Sequence, residues 1–366
     1  MSDARPFTTL LSALPASVPF VAPEALERRR GELFELRLGA NESTFGPSPR
    51  ALAAMRNELE RASLYGDPES FELRTALSVH LGLTREHLVI GSGIDDLLGL
   101  AVRAFLEPGS CAVTSLGAYP TFNYHVAGYG GRIESVPYRD DRNDLDALVD
   151  AARRHAARLL YLANPDNPTG SYHDAAAIAA LLDALPEQTL LLLDEAYIEF
   201  APPALPFDAE DPRVIRLRTF SKAYGMAGMR IGYAIAPRQT IAAFDKVRLH
   251  FGVNRVAQAG ALSALADRAF LEGVLAEVAW GREEYTRLAT ALGLAALASA
   301  TNFMAFDLGS PERARAVAEG LTARRVFVRV PGATPLNRLV RATVGTPSER
   351  RRFGHALEGV LKSSRV

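Results

Sequence analysis

Short apolar segments alternate with longer amphipathic segments between residues 87 and 235, and this alternation constrains the fold more than any other feature. Most of the apolar segments lack the polar–apolar alternation of a strand that faces solvent on one side. Such segments are typical of strands buried on both faces, as in a parallel sheet covered by helices. We therefore predict an open α/β domain. The predicted strands are residues 87–90, 111–115, 132–136, 159–162, 189–193, 214–219 and 232–235.

The segments between these strands have the spacing of amphipathic helices, which we predict at residues 94–105, 119–127, 145–154 and 174–185. From residue 238 to about residue 292 a long amphipathic stretch predicts two or more helices. One of them, of ~40 Å or more, would connect two domains. After it come predicted strands at residues 302–307, 326–330 and 339–343, a predicted helix at residues 311–323, and a last helix from Pro347. This second pattern indicates a smaller α+β domain.

The length of 366 residues suits about two domains. We expect residues 1–39 to form an N-terminal arm that packs on the small domain. Residues 40–268 would form the large domain, and residues 269–366 the small C-terminal domain.

Charge and cysteine content exclude several classes of protein. The 41 Lys and Arg residues balance 42 Asp and Glu residues, so the formal net charge is −1. A near-neutral chain lacks the positive charge that binds nucleic acids or acidic membranes. No signal peptide is visible, and no apolar run approaches the ~20 residues that span a bilayer. Cys111 is the only cysteine, which excludes an internal disulfide and a multi-cysteine metal site. We expect a cytoplasmic protein without a metal, nucleic-acid or membrane partner.

Only three lysines are present, so a reaction that needs a side-chain amine has few candidates. Lys246 lies in a charged helical pattern and Lys362 in the C-terminal tail, and solubility explains both. Lys222 instead lies among small, hydroxyl and apolar residues just after a predicted strand. Removal from water there would favour its neutral, nucleophilic amine.

Three more motifs follow predicted strands, at the sheet edge where α/β proteins bind ligands. Gly91-Ser92-Gly93 opens a helix, whose first N–H groups bind anions. Asp96 breaks the dinucleotide-binding pattern there, and an ordinary turn is the alternative. Residues 164–170 contain two Asn-Pro steps and predict a rigid loop. Asp194 ends a run of leucines, where an unpaired carboxylate is costly to bury. It would suit a protonated ring nitrogen, although a solvated strand end is the alternative.

One cofactor would use all four motifs. Its aldehyde needs a lysine, its pyridinium nitrogen needs a carboxylate, and its phenolic oxygen needs neutral donors. Its phosphate needs a helix N-terminus, hydroxyl groups such as those of Thr219 and Ser221, and an arginine such as Arg230. We therefore predict pyridoxal 5′-phosphate as the cofactor.

In these motifs the chain resembles the fold-type I pyridoxal-phosphate aminotransferases, and within them the histidinol-phosphate aminotransferase group. The resemblance extends from about residue 36 to residue 349. It implies an aspartate-aminotransferase-like α/β fold with a large cofactor-binding domain and a smaller α+β domain, and a role in histidine biosynthesis. The motifs, in the family's order, are Leu38-Gly39-Ala40-Asn41-Glu42, Phe45-Gly46-Pro47-Ser48-Pro49, Tyr65-Gly66-Asp67-Pro68, Gly91-Ser92-Gly93, Pro120-Thr121-Phe122, Asn167-Pro168-Thr169-Gly170, Asp194-Glu195-Ala196-Tyr197, Ser221-Lys222-Ala223, Ala227-Gly228-Met229-Arg230 and Val340-Arg341-Ala342-Thr343-Val344-Gly345.

The resemblance also implies roles for single residues. Lys222 would bind the cofactor's aldehyde, and Asp194 would pair with its ring nitrogen. Asn167 and Tyr197 would contact the phenolic oxygen, and Phe122 would stack on the ring. The catalytic residues would be Lys222, Asp194 and Tyr197.

The implied phosphate site uses two subunits. Tyr65 would reach the cofactor phosphate of the other subunit, which implies a homodimer with shared active sites. The other phosphate ligands would be Thr219, Ser221, Arg230 and the backbone N–H groups of Gly93, Ile94 and Asp95.

The implied substrate-binding residues are Arg341, Arg329, Asn167 and Phe20. Arg341 would bind a substrate carboxylate as a bidentate pair. Arg329 would bind the distal phosphate of histidinol phosphate. Phe20 stands where the group often has a tyrosine that contacts this phosphate. The chain has Asn41-Glu42-Ser43-Thr44 where Asn-Glu-Asn-Pro is usual. These departures leave the amino donor open.

The implied reaction moves an amino group from histidinol phosphate or an amino acid to a 2-oxo acid such as 2-oxoglutarate. Freed Lys222 would move the α-proton as general base and acid. One alternative is an aromatic or other amino acid as donor, with Phe20 and Tyr124 lining a less polar pocket. A lyase, decarboxylase or oxidase of the same fold would share the cofactor motifs. A non-enzymatic binding protein is the third alternative.

Overall fold

The computed structural model of the chain describes residues 7–15, 21–202 and 208–363. The strands are β1 (Leu36–Arg37), β2 (Leu88–Gly91), β3 (Cys111–Ser115), β4 (Arg132–Val136), β5 (Leu159–Ala163), β6 (Leu190–Asp194), β7 (Val214–Thr219), β8 (Gly232–Ile235), β9 (Ala295–Ala296), β10 (Phe303–Asp307), β11 (Val326–Phe327) and β12 (Leu339–Thr343). The α-helices are α1 (Thr9–Ala13), α2 (Pro23–Arg30), α3 (Pro49–Leu59), α4 (Phe71–Leu81), α5 (Ile94–Phe105), α6 (Thr121–Gly128), α7 (Leu145–Arg154), α8 (Ala175–Ala184), α9 (Arg238–Phe244), α10 (Arg255–Ala266), α11 (Arg268–Ala291), α12 (Pro311–Ala323) and α13 (Pro347–Ser363). Single 3₁₀ turns lie at Arg85–His87, Ile198–Phe200, Ala227–Met229 and Leu336–Arg338.

Seven strands form the main sheet in the order β2-β8-β7-β6-β5-β3-β4. β8 is antiparallel to both neighbours, and the other adjacent strands are parallel. The predicted strands of this sheet match the observed strands to within one residue at each end. β4 departs from the expected burial, since it lies at the sheet edge and exposes Arg132 and Ser135. The predicted α/β class with a mostly parallel sheet is confirmed.

Helices cover both faces of the main sheet, which explains why the central strands β5 and β6 are apolar along most of their length. In β6, Leu192 packs in the core that includes α5, α6 and α9. Its neighbours Leu191 and Leu193 pack in the core that includes α7 and α8. Because successive side chains of a strand point to opposite faces, both sets must be apolar. Helices α7, α8, α10 and α12 begin at side-chain N-caps, formed by Asp144, Asp174, Asn254 and Ser310.

A second, three-stranded antiparallel sheet has the order β12-β10-β9. Tyr285 of α11, Phe306 of β10 and Phe353 of α13 pack together with ring centroids 5.2–5.6 Å apart. The stretch from residue 238 holds three helices, the longest of which, α11, has 24 residues or about 36 Å. The expected helix of ~40 Å or more is thus somewhat shorter, because Asp267 separates α10 from α11.

The segment that follows α2 runs along the second sheet and then towards the main sheet. β1 pairs with β11 in parallel, with Leu36 opposite Val326. Two residues later the carbonyl of Leu38 accepts hydrogen bonds from the backbone N–H and the hydroxyl of Thr343, at 2.7 and 2.9 Å. The domain boundaries at residues 39 and 268 stay a prediction. In the part of the chain described above, no helix is both long enough and apolar enough to cross a bilayer.

Candidate active site

A cavity of about 760 Å³ opens at the carboxyl ends of the central strands of the main sheet. This is the edge where open α/β sheets bind ligands. Most of the residues proposed from the sequence line it, although they come from segments far apart in the chain. They are Ile94, Asp95, Asn167, Asp194, Tyr197, Thr219, Ser221, Lys222, Arg230, Arg329 and Arg341.

Lys222 enters this cavity from the turn that follows β7. The turn is fixed by hydrogen bonds from the N–H of Phe220 to the carbonyl of Ile231 (3.1 Å) and from the N–H of Met226 to the carbonyl of Phe220 (2.9 Å). The Lys222 amine donates to the carbonyl of Asn41 at 3.3 Å and lies 5.5 Å from the ring centroid of Tyr197. Among the described residues no carboxylate forms an ion pair with it. The amine is therefore held in place without being tied to an acid.

Asp194 is the last residue of β6 and lies buried in the cavity wall. Its carboxylate accepts hydrogen bonds from the Tyr161 hydroxyl at 2.7 Å and from the N–H of Ala196 at 2.9 Å. Burial raises the pKa of Asp194 to about 6, although these hydrogen bonds and nearby Lys222 act in the opposite direction. A cation in contact would restore the ionised form, so the site suits a ligand with a protonated ring nitrogen.

Hydroxyl groups, an arginine and a helix N-terminus meet at one end of the cavity. The hydroxyl of Thr219 donates to Ser221 Oγ at 2.9 Å, and an Arg230 Nη donates to the same oxygen at 3.3 Å. Gly93 precedes the first turn of α5 with φ +84°, and a Cβ on it would collide with the Arg230 guanidinium. The other Arg230 Nη lies 3.6 Å from the Asp95 carboxylate. This combination has the donors that a phosphate needs.

The loop after β5 is held rigid by a buried acid. Asp166 accepts hydrogen bonds from the N–H and the hydroxyl of Thr169, at 3.0 and 2.7 Å, and from the Tyr138 hydroxyl at 3.0 Å. Burial raises the pKa of Asp166. The loop fixes Asn167, whose side-chain oxygen accepts a hydrogen bond from Arg341.

Two arginines enter the cavity from the second sheet and its flank. Arg341 is only 8% exposed, and burial lowers the pKa of its guanidinium to about 10. One of its Nη groups donates to the carbonyl of Gly39 at 3.2 Å. Arg329 donates to the carbonyl of Val21 at 3.3 Å, and burial lowers its pKa as well. Neither arginine has a carboxylate partner within the described part of the chain, so both are free to bind a ligand anion.

Two of the proposed residues lie away from the cavity, and a third, Phe20, cannot be placed. Phe122 is 0% exposed and stacks on Tyr161, with centroids 5.0 Å apart and planes 16° apart, so it packs in the core and does not line the cavity. The ring contact proposed for Phe122 therefore needs correction. Tyr65 is 81% exposed and packs on Phe251 at 4.7 Å, away from this cavity. Phe20 lies outside the described residues.

Sequence reasoning missed three residues of the cavity wall. Tyr119 lines the cavity, and its hydroxyl donates to the Asp95 carboxylate at 2.9 Å. Tyr161 lies within a strand predicted to be buried on both faces, yet it also lines the cavity. Asn41 was named only as part of a motif, yet its side-chain amide donates to the Tyr197 hydroxyl at 2.8 Å. The one local signal was the position of Tyr119 directly before the Pro120-Thr121-Phe122 motif.

Comparisons with known proteins agree with this geometry. Residues 35–357 match the family described as aminotransferase class I and II. Histidinol-phosphate aminotransferase 2 of Nitrosospira multiformis is 36% identical over 334 residues, which is 90% of this chain and 84% of that protein. The crystal structure of histidinol-phosphate aminotransferase from Sinorhizobium meliloti, in complex with pyridoxal 5′-phosphate, is 48% identical, covers 99% of each chain and has a TM-score of 0.95. A double mutant of Thermus thermophilus aspartate aminotransferase is 26% identical with a TM-score of 0.81, over 97% of this chain and 100% of that one.

The structural likeness to the Thermus thermophilus enzyme confirms the predicted aspartate-aminotransferase-like fold. The family match spans most of the chain, and the relatives cover nearly its full length. The chain therefore belongs to the class I and II aminotransferases, in the group of the histidinol-phosphate aminotransferases.

Proposed function

We propose that the cavity binds pyridoxal 5′-phosphate and that the protein transfers the amino group of histidinol phosphate to a 2-oxo acid such as 2-oxoglutarate. The cofactor is present in the crystal structure of the Sinorhizobium meliloti relative, and the curated relatives are named for histidinol phosphate.

The residues of the cavity fit each polar group of this cofactor. Buried Asp194 lacks a cationic partner within the described residues and suits the protonated ring nitrogen. Lys222 suits the aldehyde, and Asn167 and Tyr197 suit the phenolic oxygen. The Tyr119 ring, which lines the cavity where Phe122 does not, is our candidate for the ring contact. The phosphate would bind Thr219, Ser221, Arg230 and the N–H groups of Gly93, Ile94 and Asp95.

When bound, the cofactor supplies an electron sink for the electrons that remain after the α-proton of the amine is removed. Lys222 takes that proton and returns it to the neighbouring cofactor carbon, as a general base and then a general acid. Asp194, ionised beside the ring nitrogen, keeps a proton on that nitrogen. Tyr197 and Asn167 would hold the phenolic oxygen and so fix the orientation of the ring in the cavity that Lys222 also lines.

The observation that carries the choice of substrate is a pair of arginines at the cavity, Arg341 buried and Arg329 half-buried, without carboxylate partners in the described structure. A single α-carboxylate needs one of them, as a bidentate pair with Arg341. Histidinol phosphate has no carboxylate, so its phosphate would occupy the same guanidinium and extend to Arg329. In the second half-reaction the 2-oxo acid would present its carboxylate to Arg341. One cavity can in this way serve both substrates.

We also propose a homodimer in which each site receives Tyr65 from the other subunit. In support, the Tyr65 ring is 81% exposed and lies outside its own cavity, beside Phe251, which is exposed as well. Large apolar rings so exposed and adjacent are typical of an interface. A cytoplasmic location stays a prediction.

A panel of amino donors with 2-oxoglutarate tests this proposal. Glutamate formation should be fastest with histidinol phosphate, with phenylalanine and tyrosine far behind. Equal or faster turnover of phenylalanine or tyrosine would favour an aromatic amino-acid aminotransferase instead. Product release from the amine without glutamate formation would contradict amino transfer.

A further inference from the structure

We propose that Asn41 is a positioning residue that orients the hydroxyl of Tyr197 and the amine of Lys222 at the same time. The inference rests on the proposed function, because it concerns how these two residues meet the cofactor. The geometry on which it depends belongs to the chain alone.

Two hydrogen bonds to its carbonyl hold the backbone of Asn41 in place. The residue is only 2% exposed and has a left-handed conformation, with φ +56°. Its carbonyl accepts hydrogen bonds from the Lys222 amine at 3.3 Å and from the Asn302 side-chain amide at 3.1 Å. Asn302 lies directly before β10, and its own carbonyl accepts a hydrogen bond from the N–H of Val344. The Lys222 amine is thus tied to a carbonyl that the second sheet holds in place.

The side chain of Asn41 acts on Tyr197. Its Nδ2 donates to the Tyr197 hydroxyl oxygen at 2.8 Å, a contact between residues that are both buried. A phenol oxygen that accepts this bond keeps its own hydrogen to donate elsewhere, and Tyr197 lines the cavity. The accepted bond also polarises the hydroxyl and makes it a stronger donor. Asn41 would therefore strengthen the hydrogen bond from Tyr197 to the phenolic oxygen of the cofactor.

The two contacts of Asn41 can be separated by one substitution. Asn41→Gly removes the side-chain donor but keeps the carbonyl that holds Lys222. Glycine adopts a positive φ without strain, so the backbone conformation is retained. Any effect on the cofactor then reports the contact with Tyr197 and not the contact with Lys222.

The experiment is a pH titration of the visible absorption band of the cofactor in the dimeric holoenzyme. A weaker hydrogen-bond donor at the phenolic oxygen favours the protonated form of the bound cofactor. Asn41→Gly should therefore raise the proton affinity of the cofactor, followed through this band, roughly threefold. Tyr197→Phe should raise it further. In the Tyr197→Phe background, Asn41→Gly should cause no additional change, because the hydroxyl through which Asn41 acts is absent.

An unchanged or lowered proton affinity in Asn41→Gly would overturn the inference, and so would an equal change in both backgrounds. If Asn41→Gly does not fold, as judged by thermal unfolding, Asn41→Asp replaces it. That variant keeps the side-chain size, tolerates the left-handed conformation and cannot donate to Tyr197, so it should raise the proton affinity as well. A wild-type protein without a visible band would contradict the proposed function, an outcome distinct from failure of this inference.

Discussion

Arg329 and Arg341 are paired through their backbones: the N–H of Arg329 donates to the carbonyl of Arg341 at 3.1 Å, and the reverse bond is 2.7 Å long. The pairing places two guanidinium groups against one cavity. Burial lowers the pKa of both, because neither cation is neutralised by an acid in the described structure. Removing two unpaired cations from water destabilises the folded protein unless an anion binds between them.

Arg329→Ala should therefore weaken binding of a phosphorylated amine selectively. Loss of a hydrogen bond to a charged group costs about 1.5–3 kcal/mol, so kcat/KM for histidinol phosphate should fall by roughly 10- to 100-fold. With histidinol, which lacks the phosphate, the change should be small. Steady-state kinetics with the two amines decides the matter, and equal losses for both would count against Arg329 as the phosphate ligand.

Tyr119 and Phe122 should respond differently to truncation. Tyr119→Ala removes a partly buried ring from the cavity wall and should weaken cofactor binding by roughly tenfold, with a smaller loss of stability than Phe122→Ala causes. Phe122→Ala removes a core ring and should lower the free energy of unfolding by about 3–5 kcal/mol. Cofactor titration and denaturant unfolding of the two variants separate these effects. If Phe122→Ala weakens cofactor binding more than Tyr119→Ala does, the corrected ring contact is wrong.

Tyr119 lines the cavity whereas Phe122 packs in the core, and this difference shows what local sequence can and cannot predict. Strand positions followed from apolar runs, and Lys222 and Asp194 followed from their places just after or at the end of such runs. Because parallel strands end at one edge, residues at their ends converge without knowledge of any tertiary contact. The motif order predicts which segments reach the cavity, but Tyr119 and Phe122 lie in the same segment. Only the packing of Phe122 on Tyr161 shows which ring faces inward.

The contact between Asn41 and Tyr197 was beyond sequence reasoning for a related reason. It joins residues 156 positions apart in the chain, and neither residue carries a local sign of the other. Such a contact depends on how the segment after β1 crosses from the second sheet to the main sheet. The hydrophobic periodicity of the sequence does not predict that path.

Asp194 should make the cofactor-free protein more stable at mildly acidic pH than at neutral pH. The unfolded chain loses the Asp194 proton near its ordinary pKa of 3.8, whereas burial raises the pKa in the folded state to about 6. Between these values the folded state binds the extra proton, so its stability falls as pH rises. Between pH 4 and pH 7 the fall should amount to roughly 2–3 kcal/mol relative to Asp194→Asn. Denaturant unfolding of both proteins from pH 4 to pH 7 measures it. Parallel stability curves would contradict the raised pKa, and added cofactor should abolish the difference.

A shared active site predicts complementation between two inactive variants. Lys222→Ala and Tyr65→Phe homodimers should each be impaired, whereas a heterodimer has one doubly mutated site and one intact site. Random exchange of equal amounts should restore about a quarter of wild-type activity, since half of the dimers carry one working site of two. The control is a mixture of each variant with itself. No recovery after subunit exchange has been verified by mass would contradict the shared site.

The most direct test of the account is to locate the lysine that binds the cofactor. The purified protein, loaded with pyridoxal 5′-phosphate, is reduced with borohydride, digested and mapped by mass spectrometry. We predict a pyridoxyl-phosphate adduct on Lys222, and no adduct after the same treatment of Lys222→Ala. An adduct recovered mainly on Lys246 or Lys362, or one that persists in Lys222→Ala, would contradict it.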